Sequence, residues 1–252
     1  YMPKYKAFLE ANPDVANALK NDDGQYLYFT AINPLVTAED RMAVTWWGLM
    51  LRQDWLDNVG TEVPTTIDEW YEVLTAFKEM DPNGNGEADE VTVVASVGNM
   101  HNYFYGSFGL RNRGAHHDVV DVDPETGALR VYFQHENYRK YLEFMKMMYS
   151  EKLIYQEIFT EGDSQASVFG ATDRLSCLFN TIAPGVGEDK VADWYTVNWS
   201  LEGPDGYAFH TQTRGAVHST GNFVITADCP EEKIPLALKW IDYFYSEEGS
   251  AL

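Results

Sequence analysis

The sequence predicts an α/β fold, because strand-like segments alternate with segments of helical periodicity along its 252 residues. The clearest helical pattern covers residues 64–80, PTTIDEWYEVLTAFKEM, and the run EVTVVASV at 90–97 has the β-branched residues of a strand. A chain of this length forms one large domain or two smaller ones. The hydrophobic fraction of 45% is that of a globular protein.

Apolar residues at three- and four-residue spacing predict the helices. In residues 64–80, Thr66 and Glu69 form a capping box ahead of the apolar stripe. That stripe is predicted to be buried and contains Trp70, Val73, Leu74 and Phe77. The other predicted helices cover residues 3–20, with a break expected at Pro13, and residues 137–153, 162–170 and 230–252.

Two of these helices carry further predictions about their buried faces. In the helix at 137–153, the inward residues are predicted to be Tyr138, Leu142, Met145, and Met148 or Tyr149. In the last helix, Trp240 is assigned to the core, like Trp70. Trp55 is interpreted as structural.

β-Branched and aromatic runs bounded by turn residues predict strands at 25–32, 42–52, 90–97, 175–179 and 221–229. Residues 122–133 predict a hairpin, because Glu125, Thr126 and Gly127 supply a turn between alternating segments. Residues 101–118 and 184–215 show no period and are predicted to be irregular.

Charge and composition exclude several classes of partner. The formal net charge is −21, so the surface repels phosphate backbones and anionic headgroups, and nucleic acid is not an expected partner. No run of 18 apolar residues exists, and no signal-peptide pattern opens the sequence. The protein is therefore expected to be either cytosolic or a processed form. Cys177 and Cys229 are more consistent with two buried thiols than with a disulfide, and the histidines form no zinc-ligand pattern.

The segment DPNGNGEADE, residues 81–90, predicts a bound cation. Four acids and two asparagines lie in ten residues, and a hard divalent cation such as Ca²⁺ prefers such oxygen ligands. Taking Asp81 as position 1, the predicted ligands are Asp81, Asn83, Asn85, the backbone carbonyl of Glu87, and Asp89, at positions 1, 3, 5, 7 and 9. Gly86 lies at position 6, where the chain must turn sharply.

The segment also departs from the EF-hand pattern. Position 12 is Thr92, so Glu90 is predicted to supply the last carboxylate, and a strand follows where an EF-hand has its second helix. No pair of helices is available to reorient, so the predicted Ca²⁺ is structural and the loop is not a switch. The alternative is a solvated Asn-Gly turn that only joins a helix to a strand.

The segment LRQDWLDNVGTEVPTTIDEWYEVLTAFKEMDPNGNGEADEV, residues 51–91, resembles extracellular solute-binding lipoproteins of bacterial ABC importers. That family includes maltose- and alginate-oligosaccharide-binding proteins, and alginate-binding members hold a calcium ion in this loop. YRKYLEFMKMMYSEKLI at 138–154 is similar to another block of the family, with Lys152 where glycine is common. GNFVITADCPEEKIPLALKWIDYFYSEEG at 221–249 is similar to a third block.

The resemblance implies a two-lobed, type II periplasmic-binding-protein-like fold that clamps a ligand by hinge closure. Residues 1–45 and 207–252 are expected to belong to lobe 1, and residues 46–206, including the calcium loop 81–90, to lobe 2. Relatives are longer at both ends, so the chain is expected to be the central part of a larger protein. The resemblance also implies a function in which an oligosaccharide is captured for ABC permease subunits and no chemistry is performed. The full-length protein is expected to be a monomer, lipid-anchored at the cell surface or periplasmic.

The predicted ligand contacts are aromatic and planar polar residues near the expected lobe crossings or in irregular segments, because sugars stack on rings and hydrogen-bond to such groups. They are Trp46, Trp47, Tyr103, Phe104, Trp199, His218 and Asn222. For each aromatic residue the alternative is core packing.

Two other functions compete with the binding protein. A calcium-stabilised glycoside hydrolase or other carbohydrate-processing enzyme would need two carboxylates across a cleft, and no recognisable catalytic motif holds such a pair. A calcium-dependent docking module of the cohesin type would need duplicated loops, and the sequence contains one.

Overall fold

The computed structural model of the protein describes residues 1–32, 48–112, 119–179, 186, 188–209 and 217–250. Its α-helices are α1 (Pro3–Ala11), α2 (Pro13–Ala18), α3 (Gln53–Val59), α4 (Ile67–Glu79), α5 (Val97–Phe104), α6 (Glu136–Ser150), α7 (Ala166–Ala171), α8 (Ile234–Phe244) and α9 (Glu247–Ser250). Its strands are β1 (Phe29–Ile32), β2 (Leu49–Arg52), β3 (Val91–Val94), β4 (Val120–Val122), β5 (Leu129–Val131), β6 (Leu175–Leu178), β7 (Trp194–Val197) and β8 (Val217–Phe223).

The chain divides into two compact units. Unit 1 contains Tyr1–Ala43 and Arg214–Leu252, and unit 2 contains Val44–Thr213. The sequence predicts lobe boundaries after residues 45 and 206. This division into units does not test them, so they stay a prediction.

Unit 2 contains a four-stranded mixed sheet with the strand order β3-β6-β2-β7. β3 and β6 run parallel, and β2 is antiparallel to both of its neighbours, with Met50 opposite Leu178 on one side and Thr196 on the other. Every residue of β2 and β6 is buried. A sheet whose inner strands are buried on both faces is covered on both sides, as in α/β folds.

The core of unit 2 is built around α4. Thr66 begins this helix with the predicted capping box, since its side chain accepts from the amide of Glu69 while the Glu69 carboxylate accepts from the amide of Thr66. Trp70 and Phe77 have no exposed surface. The Trp70 ring lies 4.8 Å from that of Phe104, measured between centroids. The predicted helix and its buried stripe are therefore confirmed.

Unit 1 contains an antiparallel pair, β1 and β8, together with α1, α2, α8 and α9. Asp242 of α8 is buried and accepts hydrogen bonds from the amides of Tyr5 (2.9 Å) and Lys4 (3.4 Å), which caps the first turn of α1. The Tyr5 ring packs 4.6 Å from that of Tyr245, and burial raises the pKa of Tyr5 to about 12.

The break predicted at Pro13 is confirmed, because Asn12 ends α1 and Pro13 begins α2. Two other helix predictions need correction in detail. In α6, Met145 and Met148 are buried as predicted, and Tyr141 also has no exposed surface, whereas Leu142, which was predicted inward, is 45% exposed. The helix predicted at 230–252 begins its α-helical part at Ile234, and α8 ends at Phe244. Trp240 on α8 is 57% exposed, so its assignment to the core is wrong for this structure.

The remaining differences lie in segments whose local pattern was weak. The segment predicted to be irregular from residue 101 overlaps α5, which begins at Val97 because the Ser96 side chain accepts from the amide of Asn99 at 3.1 Å. α3 and β7 were not predicted. The strand predicted at 221–229 is displaced, since β8 ends at Phe223.

Within the described residues, no helix has the length and apolar character needed to cross a bilayer. Both cysteines are free: Cys177 is buried and Cys229 is half-buried. Burial raises the pKa of the Cys177 thiol well above its usual value.

Candidate functional site

The loop 81–90 joins the end of α4 to the start of β3 and turns tightly. Asp81, Gly84 and Gly86 adopt left-handed backbone conformations, with φ of 48°, 69° and 82°. The Asp81 carboxylate accepts hydrogen bonds from the amides of Asn85 (3.1 Å) and Gly86 (2.9 Å). The first predicted ligand is therefore held against the backbone at the centre of the loop.

The two asparagines are held in the same way. Oδ1 of Asn83 accepts from the amide of Asn85 at 3.0 Å, and Oδ1 of Asn85 accepts from the amide of Glu87 at 2.7 Å. Oxygens at positions 1, 3 and 5 of the loop thus follow one another around the turn. Alternating oxygens of this kind are what a calcium loop requires.

Asp89 and Glu90 have different surroundings. Oδ1 of Asp89 accepts from Nδ2 of Asn85 at 3.0 Å, and Oδ2 lies 2.8 Å from Nε of Arg174. Glu90 is half-buried, and neither of its carboxylate oxygens, both shielded from solvent, has a hydrogen-bond partner. Burial, followed by the charges of Asp81 and Asp89, raises the pKa of Glu90, and the nearby backbone amides of Glu90 and Asp89 oppose this rise only in part.

Residues distant in sequence anchor the loop. Nδ2 of Asn58, in the last turn of α3, donates to the carbonyl of Pro82 at 2.8 Å. Nδ2 of Asn83 donates to the carbonyl of Asp173 at 3.0 Å. No local pattern marks Asn58, Asp173 or Arg174 as neighbours of the loop, so the sequence reasoning missed them.

Asp173 links the loop anchor to the sheet. Its carboxylate lies 2.6 Å from Nη1 of Arg52, at the end of β2, and 3.1 Å from Nζ of Lys190. Burial alone would raise the pKa of Asp173, but hydrogen bonds from Arg52 and Lys190 outweigh it and lower that pKa. The backbone of Asp173 is left-handed, with φ of 60°. This strained turn, between α7 and β6, is thus held in place by two cations.

These residues fit a divalent cation bound through oxygen. The two partnerless Glu90 oxygens support the fit, because buried acceptors without donors are costly unless a cation satisfies them. Within the described part of the chain, no three His, Cys, Asp or Glu side chains gather to hold a metal. A site here therefore depends on the asparagine amides and a backbone carbonyl as well as on carboxylates.

The predicted ligand-contact residues lie in different places. Phe104 has no exposed surface and packs against Trp70 and Phe179 in the core, so its assignment as a ligand contact is corrected to core packing. Tyr103 is 6% exposed, and its hydroxyl donates to the carbonyl of Trp199 at 3.1 Å. The structure therefore brings Tyr103 and Trp199 together.

Trp199 is half-buried, and hydrogen bonds join its segment to α5 and to the start of α4. Its indole N–H donates to the carbonyl of Pro64 at 3.2 Å. Three residues later, Glu202 exchanges backbone hydrogen bonds with Thr65 (2.8 Å) and Ile67 (3.0 Å). The Trp199 ring is thus oriented by the hydrogen bond of its indole N–H and by the hydrogen bonds of the neighbouring backbone.

The remaining predicted contacts are Trp46, Trp47, His218 and Asn222. Trp46 and Trp47 lie outside the described residues. His218 lies in β8 of unit 1, where its backbone but not its side chain is described, and Asn222 is exposed in the same strand.

Three surface cavities in unit 2 are lined by other residues. The cavity of about 420 Å³ lies between α4 and the end of α6, where the Tyr71 hydroxyl donates to Glu151 at 2.7 Å. A cavity of about 310 Å³ is lined by charged residues around Arg130 and Lys140, and one of about 360 Å³ lies beside Pro64 and Glu69. None of the three is lined by a predicted ligand contact.

No protein-family model matches the chain. The chain is 29% identical over 250 residues to the fructooligosaccharide ABC transporter substrate-binding protein FusA of Streptococcus pneumoniae, which covers 98% of this chain and 45% of that protein. It is 37% identical over 176 residues to lipoprotein LipO of Bacillus subtilis, covering 63% of this chain and 33% of that protein. The chain thus spans less than half the length of these curated relatives.

Solved structures give the same result. FusA of S. pneumoniae in complex with kestose has a TM-score of 0.77 at 25% identity, covering 100% of this chain and 50% of that one. An EF-hand mutant of FusA has a TM-score of 0.74 at 24% identity, covering 100% of this chain and 50% of that one. The alginate-binding protein AlgQ2, solved without calcium ion, has a TM-score of 0.68 at 22% identity, covering 99% of this chain and 49% of that one. The predicted resemblance and fold class are confirmed: this chain is similar to the ABC-transporter substrate-binding protein FusA and to the alginate-binding protein AlgQ2, and it has the periplasmic-binding-protein fold that they share.

Proposed function

We propose that this chain is part of the substrate-binding component of an ABC importer and captures an oligosaccharide without chemically changing it. The observation that carries the proposal is the similarity to FusA, which extends over 98% of the chain in sequence and over all of it in structure. FusA is named as the substrate-binding protein of a transporter, which favours binding over hydrolysis.

The location and partners of the whole protein follow from the same proposal. The protein acts outside the cytoplasmic membrane, held by a lipid anchor or free in a periplasm, and delivers its sugar as a monomer to ABC permease subunits. The lipoprotein among its relatives supports the anchor. The net charge of −21 argues against nucleic acid or anionic lipid as a further partner.

Trp199 is the described residue best suited to stack on a sugar. The residue keeps exposed surface while Tyr103 bonds to its backbone carbonyl and Pro64 accepts from its indole N–H. A pre-oriented aromatic ring binds without losing side-chain entropy, which favours affinity. Tyr103, Trp46, Trp47, His218 and Asn222 are each proposed as ligand contacts from the sequence.

We also propose that the loop 81–90 binds one structural Ca²⁺ ion. The residues that would hold it are Asp81, Asn83, Asn85, the carbonyl of Glu87, Asp89 and Glu90. When bound, the ion offsets part of the negative charge of its three carboxylate ligands in a short turn and so stabilises the junction between α4 and β3. The FusA structure described as an EF-hand mutant and the AlgQ2 structure described as without calcium ion support the proposal that a protein of this kind binds Ca²⁺.

Sugar binding is tested on the protein expressed from its complete reading frame. We expect kestose, nystose or an oligogalacturonate to raise the melting temperature, and calorimetry to give a dissociation constant for the sugar that does so. Trp199→Ala should weaken that sugar about tenfold, or ~1.4 kcal/mol. Trp240→Ala, which removes an exposed tryptophan of unit 1, is the matched control and should bind normally.

Two results would count against the proposal. Release of shorter sugars during incubation would make the protein an enzyme. If no oligosaccharide of the panel changed the melting temperature or gave heat on titration, the proposed ligand class would be wrong.

A further inference from the structure

Arg174 contacts the C-terminal end of the loop 81–90 through its side chain. Its Nε lies 2.8 Å from the backbone oxygen of Asp89 and 2.8 Å from Oδ2 of the same residue. The guanidinium also packs over the Phe169 ring, 5.4 Å from its centroid. The side chain is therefore held from two sides, although 35% of it is exposed.

The backbone of Arg174 contacts the residue on the other side of Glu90. The amide of Val91 donates to the carbonyl of Arg174 at 2.7 Å. Glu90, whose carboxylate oxygens have no partner, is thus bracketed by two residues that both bond to Arg174. The preceding residue, Asp173, accepts from Asn83 at the opposite end of the loop.

We propose that Arg174 is a positioning residue for the cation loop: its side chain fixes Asp89, its backbone fixes Val91, and together they hold Glu90 ready to bind the ion. The inference rests on the proposed calcium site and adds an outer residue that no pattern in the loop contains. Outer partners that orient ligands typically change metal affinity 10- to 100-fold when they are removed.

The positive charge of Arg174 acts in the opposite direction, because a cation near acidic ligands repels Ca²⁺. This repulsion is the smaller effect, since the exposed guanidinium is screened by solvent and already paired with Asp89. Loss of orientation therefore decides the sign, and removal of the side chain weakens Ca²⁺ binding.

The test is a calorimetric titration of the metal-free protein with CaCl₂. Arg174→Met should lower the Ca²⁺ affinity about tenfold or more. Arg174→Lys should give an intermediate affinity, because an ammonium group keeps the charge but not the planar guanidinium geometry. The control is Arg139→Met, which makes the same charge change at an exposed residue paired with Glu143 in α6; its Ca²⁺ affinity should equal that of the wild type.

Each outcome decides the inference. An Arg174→Met protein that binds Ca²⁺ as tightly as the wild type, or more tightly, overturns it, even if its melting temperature in chelator is lower. If Arg174→Met does not fold, Arg174→Lys decides: wild-type affinity overturns the inference, and weaker binding supports it. Failure of the wild type to bind Ca²⁺ would overturn the calcium site itself, so the two failures are distinguishable.

Discussion

Trp70 and Trp240 occupy similar positions in two amphipathic helices, yet their surroundings differ. Trp70 on α4 has no exposed surface and contacts Phe104 and Phe179. Trp240 on α8 is 57% exposed and has only Phe223 and Phe244 as aromatic neighbours among the described residues. The same sequence pattern therefore leads to a closed core in unit 2 and an open face in unit 1.

The difference shows what an apolar stripe specifies. It states that one face of a helix favours burial, but the covering surface comes from other parts of the fold. In unit 2 that surface is a four-stranded sheet with α5 and α6, whereas the described part of unit 1 has a two-stranded pair. Two strands alone offer little area for packing.

The most direct way to test this contrast is to truncate both tryptophans. Trp70→Ala should lower the free energy of unfolding of unit 2 by about 3–5 kcal/mol, because it leaves a cavity in a packed core. Trp240→Ala should cost about 1 kcal/mol or less, because little buried surface is lost. Urea unfolding followed by circular dichroism measures both, and equal losses would contradict the contrast between the units.

A second comparison lies within unit 2. Its core is closed, whereas the Glu90 carboxylate oxygens of the loop 81–90 are shielded from solvent and have no hydrogen-bond donor. Addition of Ca²⁺ at 100 times its dissociation constant should stabilise the protein by about 2.7 kcal/mol, and chelation should reverse this. Thermal unfolding with and without chelator provides the measurement. An unchanged melting temperature would show that the loop does not bind the ion.

The substitution Glu90→Gln should change stability in opposite directions with chelator and with Ca²⁺. With chelator, the variant should be more stable than the wild type by about 1 kcal/mol, because a shielded charge without a partner is removed. With Ca²⁺ it should be less stable, because a ligand is lost. Glu87→Gln is the control, since Glu87 is exposed and is predicted to contribute only its carbonyl. The same sign in both conditions would exclude Glu90 as a ligand.

A smaller effect is expected at the end of α6. Lys152 has a left-handed backbone, with φ of 59°, and is exposed. Lys152→Gly should therefore stabilise unit 2 by about 0.5–1 kcal/mol, because glycine adopts this conformation without strain. Lys152→Ala, which keeps the strain, separates this cause from loss of the side chain. Destabilisation by the glycine variant would contradict the prediction.

The smallest effect is a pH dependence from the aromatic part of the unit 2 core. Burial lowers the pKa of His101, which contacts the Tyr141 hydroxyl and stacks on Tyr105. A lowered pKa contributes stability that is present above the ordinary value of 6.5 and is lost as the pH falls through the folded-state value. The wild type should thus lose more stability on acidification than His101→Gln. The measurement is the melting temperature of both proteins as a function of pH. An equal decrease in melting temperature for the two proteins on acidification would contradict the prediction.

Three examples show which features of the fold and the site were predictable from the sequence. The capping box of Thr66 and Glu69 predicted the start of α4, because its hydrogen bonds are local. The loop 81–90 was recognisable because its oxygens lie at alternate positions in one segment. Phe104 was misassigned, since aromatic content alone does not distinguish a ligand contact from a core residue.

The sequence by itself determined the α/β class, the helix before the cation loop and the order of the loop oxygens, because these depend on contacts between residues close in the chain. Only the tertiary structure decided that Trp70 is covered and Trp240 is not, and that Asn58, Asp173 and Arg174 surround the loop. These contacts join residues far apart along the chain, and a local pattern carries no information about which distant segment lies beside it.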